Sequence, residues 1–179
     1  MTIDEMSTNT TVRWAWAAAL ALVTVAGTLA ASCMMPFVAL AVMAAATLPL
    51  RQAFAATALA WAAEQALGFG LLGYPLDASA IGWGVALGVA ALAAVHASHA
   101  IGADRGIART IIAFAAGFVL YEVVLFLYGA AIGGTEAFTS AIVLQLARNE
   151  LVWFAALLVL RETLRLLLPA RMVPRGATA

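Results

Sequence analysis

Long apolar runs are the feature that most limits what this chain can fold into. They cover about 12–33, 35–50, 51–72, 78–100, 107–132 and 136–168, and short breaks rich in Pro, Gly or Asp separate them. Most approach the roughly 20 apolar residues that a helix needs to cross a bilayer. Because backbone groups in lipid must be satisfied within the segment, the runs predict helices. The sequence therefore predicts an all-α, polytopic integral membrane protein with about six transmembrane helices.

Composition supports this interpretation. Of the 179 residues, 65% are hydrophobic and 10% are charged, whereas a soluble domain usually has about 25% charged residues. So small a soluble domain has too much surface to hide this apolar excess. Two runs depart from the expected length: the second is short, and the sixth is too long for one simple span. The sixth either begins with a short outer helix at 136–147 or is tilted.

Arginine placement predicts the orientation. All nine basic residues are Arg, and only Arg148 falls outside a one-sided pattern. The connections near Cys33, Asp77 and Gly134 hold no arginine, which marks them as the outer side. The sequence thus predicts a cytoplasmic tail at 1–11, one six-helix transmembrane domain at 12–168 and a cytoplasmic tail at 169–179. The arginines on the predicted cytoplasmic side are Arg13, Arg51, Arg105, Arg109, Arg161, Arg165, Arg171 and Arg175.

Several classes of function are excluded. The net charge is zero, which argues against a nucleic-acid partner. The single cysteine allows no intrachain disulfide and no CxxC metal motif. GxSxG, HExxH, CxxCH and P-loop motifs are missing, so we expect no enzyme, no cofactor and no bound metal.

The polar, acidic N-terminus is unlike a signal peptide. Abundant Ala with Arg but no Lys suggests a GC-rich bacterial genome, hence a multi-pass protein of the bacterial cytoplasmic (inner) membrane.

Charged residues inside the predicted spans point to an inward-facing layer. Glu64 and Glu122 each follow a cytoplasmic arginine by thirteen residues, and Arg148 precedes one by thirteen. Thirteen residues of helix rise about 20 Å, so the three side chains are predicted at one depth in the outer half of the membrane. A charge facing lipid there costs at least a few kcal/mol. We therefore expect all three to face inward, with the two acids neutralising Arg148.

Aromatic and polar residues recur around this layer at helical spacing, as in the lining of a small-molecule pocket. The alternative is structural: polar side chains and an ion network that hold the helices together. Phe69 is expected to cover an apolar part of the substrate. The predicted substrate-binding residues are Trp61, Glu64, Gln65, Tyr121, Glu122, Arg148, Asn149 and Trp153.

Two further clusters allow a metal interpretation beside a simpler one. His96 and His99 are three positions apart, which suits a shared metal or a proton relay, or else interfacial anchoring. Cys33, Met34 and Met35 are soft ligands, but such residues are also ordinary apolar fillers.

Small residues recur in steps of four along the first span, as Ala15 to Ala19 and Ala17 to Ala21, and such steps allow close helix approach. With six short helices, both ends inside and an outer-half pocket, the chain resembles the substrate-binding S components of energy-coupling-factor (ECF) vitamin transporters. In that family an AxxxA pattern on the first helix docks onto a transmembrane coupling subunit that works with ATPases. The resemblance implies that Ala15, Ala17, Ala19 and Ala21 dock here.

The sequence therefore predicts a small membrane transporter or substrate-capture subunit for a polar or amphipathic, vitamin-like micronutrient. Its expected partners are the lipid bilayer, the small-molecule substrate and a coupling subunit. One alternative is a structural or assembly subunit of a larger membrane complex. A third is a membrane enzyme that acts on a lipid or quinone through Glu64 and Glu122.

Overall fold

The chain folds into helices joined by short connections. The structure is a computed structural model that describes residues 3–30 and 35–167, except for the side chains of 3–9, 28–30, 137 and 165. Within these ranges there is no strand, so the all-α prediction is confirmed. Two short 3-10 turns, Ala103–Arg105 and Thr135–Ala137, flank α5. The helices are α1 (Ile3–Ala30), α2 (Phe37–Thr47), α3 (Leu50–Gly70), α4 (Ala78–Ile101), α5 (Ile107–Ile132) and α6 (Ser140–Leu167).

Four of these helices are long and apolar enough to cross a membrane: α1, α4, α5 and α6. With 21 residues, α3 is about 31 Å long, but it carries Arg51, Gln52, Glu64 and Gln65, which make it less apolar. With 11 residues, α2 is only about 16 Å long, roughly half the thickness of a bilayer core. The helical, apolar character expected of a membrane protein is present, and α2 is its exception in length.

Local sequence explains where the helices begin and end. Leu48 leaves the helical conformation at φ −123° and ψ 151°, as expected before Pro49, whose ring disfavours the α conformation in the preceding residue. The Asp77 side chain accepts a hydrogen bond from the backbone N–H of Ala80 at 2.8 Å and caps α4. Gly102 ends α4 at φ +76°, a conformation that glycine adopts without steric cost.

Two boundaries differ from the sequence prediction. The first helix begins at Ile3, so it runs through most of the predicted 1–11 tail. The sixth region is one continuous helix of 28 residues, preceded only by the 3-10 turn, and no separate helix covers 136–147. The predicted tail at 169–179 lies outside the described residues.

The short helix α2 is the centre of the molecule. Every residue from Phe37 to Thr47 is buried, and α3, α4, α5 and α6 all pack against it. At its carboxyl end, the Trp16 Nε1–H of α1 donates to Thr47 Oγ1 at 2.9 Å. Five longer helices therefore surround a half-length apolar helix that is shielded along its whole length.

Aromatic side chains connect the surrounding helices. Phe114 of α5 stacks on Phe154 of α6 with ring centroids 4.4 Å apart. The Trp153 ring of α6 lies directly against Gly27 of α1, where a Cβ atom would collide with it. Since α1 packs on α3, α3 on α4 and α4 on α5, these two contacts close the ring of helices around α2.

Two glycines of α4 receive side chains from α3. A Cβ atom at Gly88 would lie 2.8 Å from the Trp61 ring, and one at Gly84 would collide with Gln65 Oε1. Trp61 Nε1–H also donates to the Gly84 carbonyl oxygen at 2.7 Å. The close approach of α3 and α4 therefore depends on the missing side chains at these two positions.

Candidate functional site

The amino end of α2 poses a hydrogen-bonding problem that a distant residue solves. The first N–H groups of a helix have no intrahelical acceptor, and Pro36 supplies no side-chain cap. Phe37 N–H donates to the Met35 carbonyl oxygen at 3.0 Å, and Leu40 N–H donates to that of Pro36 at 3.0 Å. The N–H groups of the two intervening residues, 38 and 39, remain to be satisfied inside a fully buried segment.

Glu150 of α6 accepts both of them. Its Oε1 accepts from Val38 N–H at 3.1 Å, and its Oε2 accepts from Ala39 N–H at 2.7 Å. The side chain is only 3% exposed. A carboxylate at a helix amino end is favoured by the N–H groups and by the helix dipole. Residue 150 thus caps a helix more than a hundred positions away in sequence, and it fixes α6 against the core.

The position of Glu150 follows from the buried stripe of α6. Glu150, Phe154, Leu157 and Arg161 are its buried residues, at helical spacing. Arg161 lies eleven residues after Glu150, so the two differ in height by about 16 Å. This equals the length of α2, whose carboxyl end lies beside Trp16 near the predicted cytoplasmic side. The Glu150 contact therefore lies near the middle of the predicted membrane.

Two residues of α5 belong to the electrostatic surroundings of this contact. Tyr121 and Glu122 are both within electrostatic range of the Glu150 carboxylate. Tyr121 is buried, and both carboxylate oxygens of Glu122 are shielded from solvent. Among the residues that the structure describes, neither Glu122 oxygen has a hydrogen-bond partner. We call Tyr121, Glu122, Glu150 and the amino end of α2 the acidic centre.

The chemistry of the acidic centre is that of an acceptor. Glu150 already uses both oxygens on backbone N–H groups, whereas Glu122 presents a carboxylate with unused acceptor capacity. A carboxylate inside a membrane protein binds a proton, a cation or a hydrogen-bond donor. The arrangement can therefore hold a polar donor group or exchange a proton in an otherwise apolar interior.

The other predicted site residues divide between the core and helix contacts. Glu64 is buried on α3, as expected. Trp61 and Gln65 fill the space above the α4 glycines, and Trp153 packs on Gly27. Asn149 is half-buried. Phe69, near the end of α3, meets the Tyr74 ring edge-on, with the ring centroids 6.4 Å apart. For Trp61, Gln65 and Trp153, these contacts match the structural alternative, helix packing, and not an open pocket lining.

The expected inward orientation of Arg148 is wrong. Its side chain is exposed, while Glu150, two positions later, is buried. Each helical residue turns by about 100°, so positions two apart point in nearly opposite directions. Spacing along the sequence predicts the height of Arg148 in the membrane but not the direction of its side chain around the helix axis. Because this side chain points outward, the prediction that Arg148 neutralises Glu64 and Glu122 is not supported.

The alanine seam on α1 also differs from its prediction. Ala17 and Ala21 are buried within the chain, Ala19 is half-buried and Ala15 is exposed. The two buried alanines belong to the packed core, and they are not available to a docking partner in this conformation. Of the four predicted docking residues, only Ala15 lies on an open surface.

The two possible metal clusters gain no ligand set. His96 is exposed and His99 is half-buried. Within residues 3–30 and 35–167, no three His, Cys, Asp or Glu side chains come together in a way that could hold a metal ion. Cys33 and Met34 lie outside the described residues.

Glu150 is a site residue that the sequence pattern did not predict. A usable signal was present in the sequence. The second apolar run begins at Pro36 with no Ser, Thr, Asp or Asn to cap it, so its first N–H groups require an acceptor from elsewhere. An intramembrane acid is such an acceptor, but which acid serves depends on how the helices pack.

Comparisons with known proteins identify no relative from which a function could be inferred. No family model matches the chain, and neither the curated proteins nor the solved structures give a match.

Proposed function

We propose that this chain is a small multi-pass membrane transporter or substrate-capture subunit that binds a polar or amphipathic micronutrient at the acidic centre. The observation that carries the proposal is the half-length helix α2, whose amino end lies in the protein interior against Glu150. Many transporters place the ends of discontinuous helices near the midplane and bind substrates or coupling ions there. Glu122 supplies the acceptor that such a substrate needs.

The proposed topology has both termini in the cytoplasm of a bacterial cell. It requires six crossings, of which α2 belongs to the second and the other five helices make the rest. The arginines at the predicted cytoplasmic ends support this orientation. The exposed positions of Arg51, Arg105 and Arg109 agree with a location at the membrane surface.

Energy for transport would come from a partner or an ion gradient, because the sequence carries no nucleotide-binding motif. A coupling subunit like that of the ECF transporters fits this need. If it docks on α1, it must use the exposed side that contains Ala15, since Ala17 and Ala21 are buried.

The test begins with the purified chain in mild detergent. Denaturing the protein should release a bound small molecule, which mass spectrometry identifies. That molecule is then titrated back onto the ligand-free chain. Glu122→Gln should weaken that binding about tenfold or more, because a charged hydrogen bond contributes about 1.5–3 kcal/mol. Glu136→Gln is the matched control, as Glu136 is exposed outside α5 and α6. Binding that is equal in both variants would overturn the assignment to the acidic centre.

A second function is favoured by one surface feature. A shallow, wide-open apolar groove lies on the outer face of α5, opposite its buried stripe. A helix of another subunit would fit there, as the assembly interpretation requires. Ala116→Phe would fill the groove. Loss of a native membrane complex with ligand binding unchanged would favour assembly, and an intact complex would favour transport. The groove is lined by Ile112, Ala115, Ala116, Val119, Leu120 and Val123.

A further inference from the structure

We propose that Glu150 is a proton-operated latch: its ionised carboxylate holds the amino end of α2, and its protonation releases part of that hold. The inference deepens the proposed function, because it describes how the same site is regulated. Its test uses hydrogen exchange and needs neither a ligand nor transport, so the latch and the proposed function can fail separately.

The geometry that carries the latch is the pair of bonds from two consecutive N–H groups to the two oxygens of one carboxylate. These bonds join Val38 to Oε1 and Ala39 to Oε2. An ionised carboxylate accepts at both oxygens, whereas a protonated one has a hydroxyl that donates and a single good acceptor. Protonation therefore leaves one of the two buried N–H groups without its acceptor.

The surroundings make this loss local. The neighbouring N–H groups of α2, at Phe37 and Leu40, are satisfied by backbone carbonyls and not by Glu150. The remainder of α2 is an apolar helix packed on all sides. Protonation of Glu150 thus affects only the N–H groups of Val38 and Ala39, while the other hydrogen bonds of α2 stay in place.

The titratable groups that face Glu150 come from α5. Among the described residues, those that interact electrostatically with its carboxylate are Tyr121 and Glu122, and neither is a cation. Helix α2 carries no titratable side chain, and the α1 residues near Gly27 that meet α6 are uncharged. On α6 itself, Arg161 is about 16 Å further along the helix. A negative charge on Glu122 lies within electrostatic range of the Glu150 carboxylate.

The latch has a functional consequence at the acidic centre. When Glu150 is protonated, the N–H group that loses its acceptor becomes an available donor near the middle of the predicted membrane. Donors of this kind, at the positive end of a helix dipole, bind anionic or carbonyl groups of a substrate. Protonation would thereby give the closed helix end a donor that a substrate can bind.

Amide hydrogen exchange of the whole chain in lipid nanodiscs tests the latch. Exchange is followed at Val38 and Ala39 over a pH series and corrected for the intrinsic chemical rate. In the wild type, protection of these amides should fall about tenfold or more as Glu150 is protonated, which corresponds to the loss of one charge-assisted hydrogen bond. A buried segment of α4 serves as the internal reference and should not change.

Glu150→Gln imitates the protonated group, since the amide oxygen accepts one N–H and the NH₂ group accepts none. Its α2 amides should show the low-pH protection at every pH. A wild type without a pH transition, or a Glu150→Gln variant that keeps one, would overturn the latch. If Glu150→Gln does not fold, Glu122→Gln decides the question. Removal of the facing charge should move the transition to lower pH, and an unmoved transition counts against the latch.

Discussion

At the residue scale, Glu150 and Arg148 show how much depends on direction around a helix. They are two positions apart on α6, yet one is buried and bonded to α2 and the other is exposed. Spacing from a cytoplasmic arginine predicts height but not direction. The hydrogen-bond partner of Glu150 is also not predictable from this spacing, since it belongs to a helix more than a hundred residues earlier. Of the two charged residues, only Glu150 therefore contacts the core.

We expect Glu150→Ala to destabilise the folded chain by about 2–6 kcal/mol, because it leaves two buried N–H groups without acceptors at about 1–3 kcal/mol each. Arg148→Ala on the same helix is the matched control and should change stability by about 0.5 kcal/mol or less, as for other exposed positions. Unfolding in detergent, followed by circular dichroism, measures both. Equal losses for the two variants would contradict the burial difference.

Glu122 is expected to behave in the opposite way. Because its shielded oxygens have no hydrogen-bond partner among the described residues, Glu122→Leu removes an uncompensated polar group and should leave the melting temperature unchanged or raise it. The same change should abolish binding of the retained ligand, since function is often maintained at the expense of stability. A variant that melts earlier and still binds would show that Glu122 serves the fold.

At the element scale, the packing of α3 on α4 explains why aromatic and polar residues on α3 resemble a pocket lining in sequence. Trp61 and Gln65 meet glycines of α4, and the indole N–H finds a backbone carbonyl there. Lining a pocket and filling a helix groove require the same helical spacing, so the sequence pattern of α3 cannot distinguish them. Only the glycines opposite make the difference.

This contact gives a prediction with an internal control. A Cβ atom at Gly88 would lie 2.8 Å from the Trp61 ring, whereas one at Gly70 would meet nothing within 4 Å. Gly88→Ala should therefore destabilise the chain by about 1–3 kcal/mol through overpacking. Gly70→Ala should be neutral or slightly stabilising, because alanine favours a helix over glycine. Thermal unfolding of both variants provides the measurement.

The contact also predicts a rescue. Trp61→Leu removes the ring that the new methyl group meets, so the double variant with Gly88→Ala should lose less stability than the sum of the two single changes. Strict additivity of the two losses would show that the methyl group and the ring do not meet.

At the scale of the whole molecule, a short helix encircled by five longer ones gives the chain an interior that lipid does not reach. Every residue of α2 is buried, while the surrounding helices expose large apolar side chains, among them Leu22, Val119 and Val159. The exposed apolar side chains face outward, as expected where the surrounding medium is lipid. Glu150 and Tyr121, which are buried in this interior, are thereby kept from the outer apolar surface.

The proposed topology is tested by labelling single cysteines in a Cys33→Ser background. The two labelling variants, Arg105→Cys and Leu76→Cys, lie at exposed positions. Leu76 is chosen and not its neighbour Asp77, because the Asp77 side chain caps α4. In intact cells an impermeant maleimide should label position 76 only, and both positions should react after lysis. Equal labelling of both before lysis would contradict six crossings with the termini inside.

The sequence by itself determined the helical class, most helix boundaries and the presence of acids within apolar runs, because these depend on local composition and on breaks such as Pro49 and Gly102. Only the tertiary structure decided which of those acids meets which partner. Burial of α2 creates two unsatisfied N–H groups, and the rotation of α6 brings Glu150 to them while it turns Arg148 outward. The same packing buries Ala17 and engages Trp61, since side-chain direction is fixed by contacts between helices and not by spacing within one.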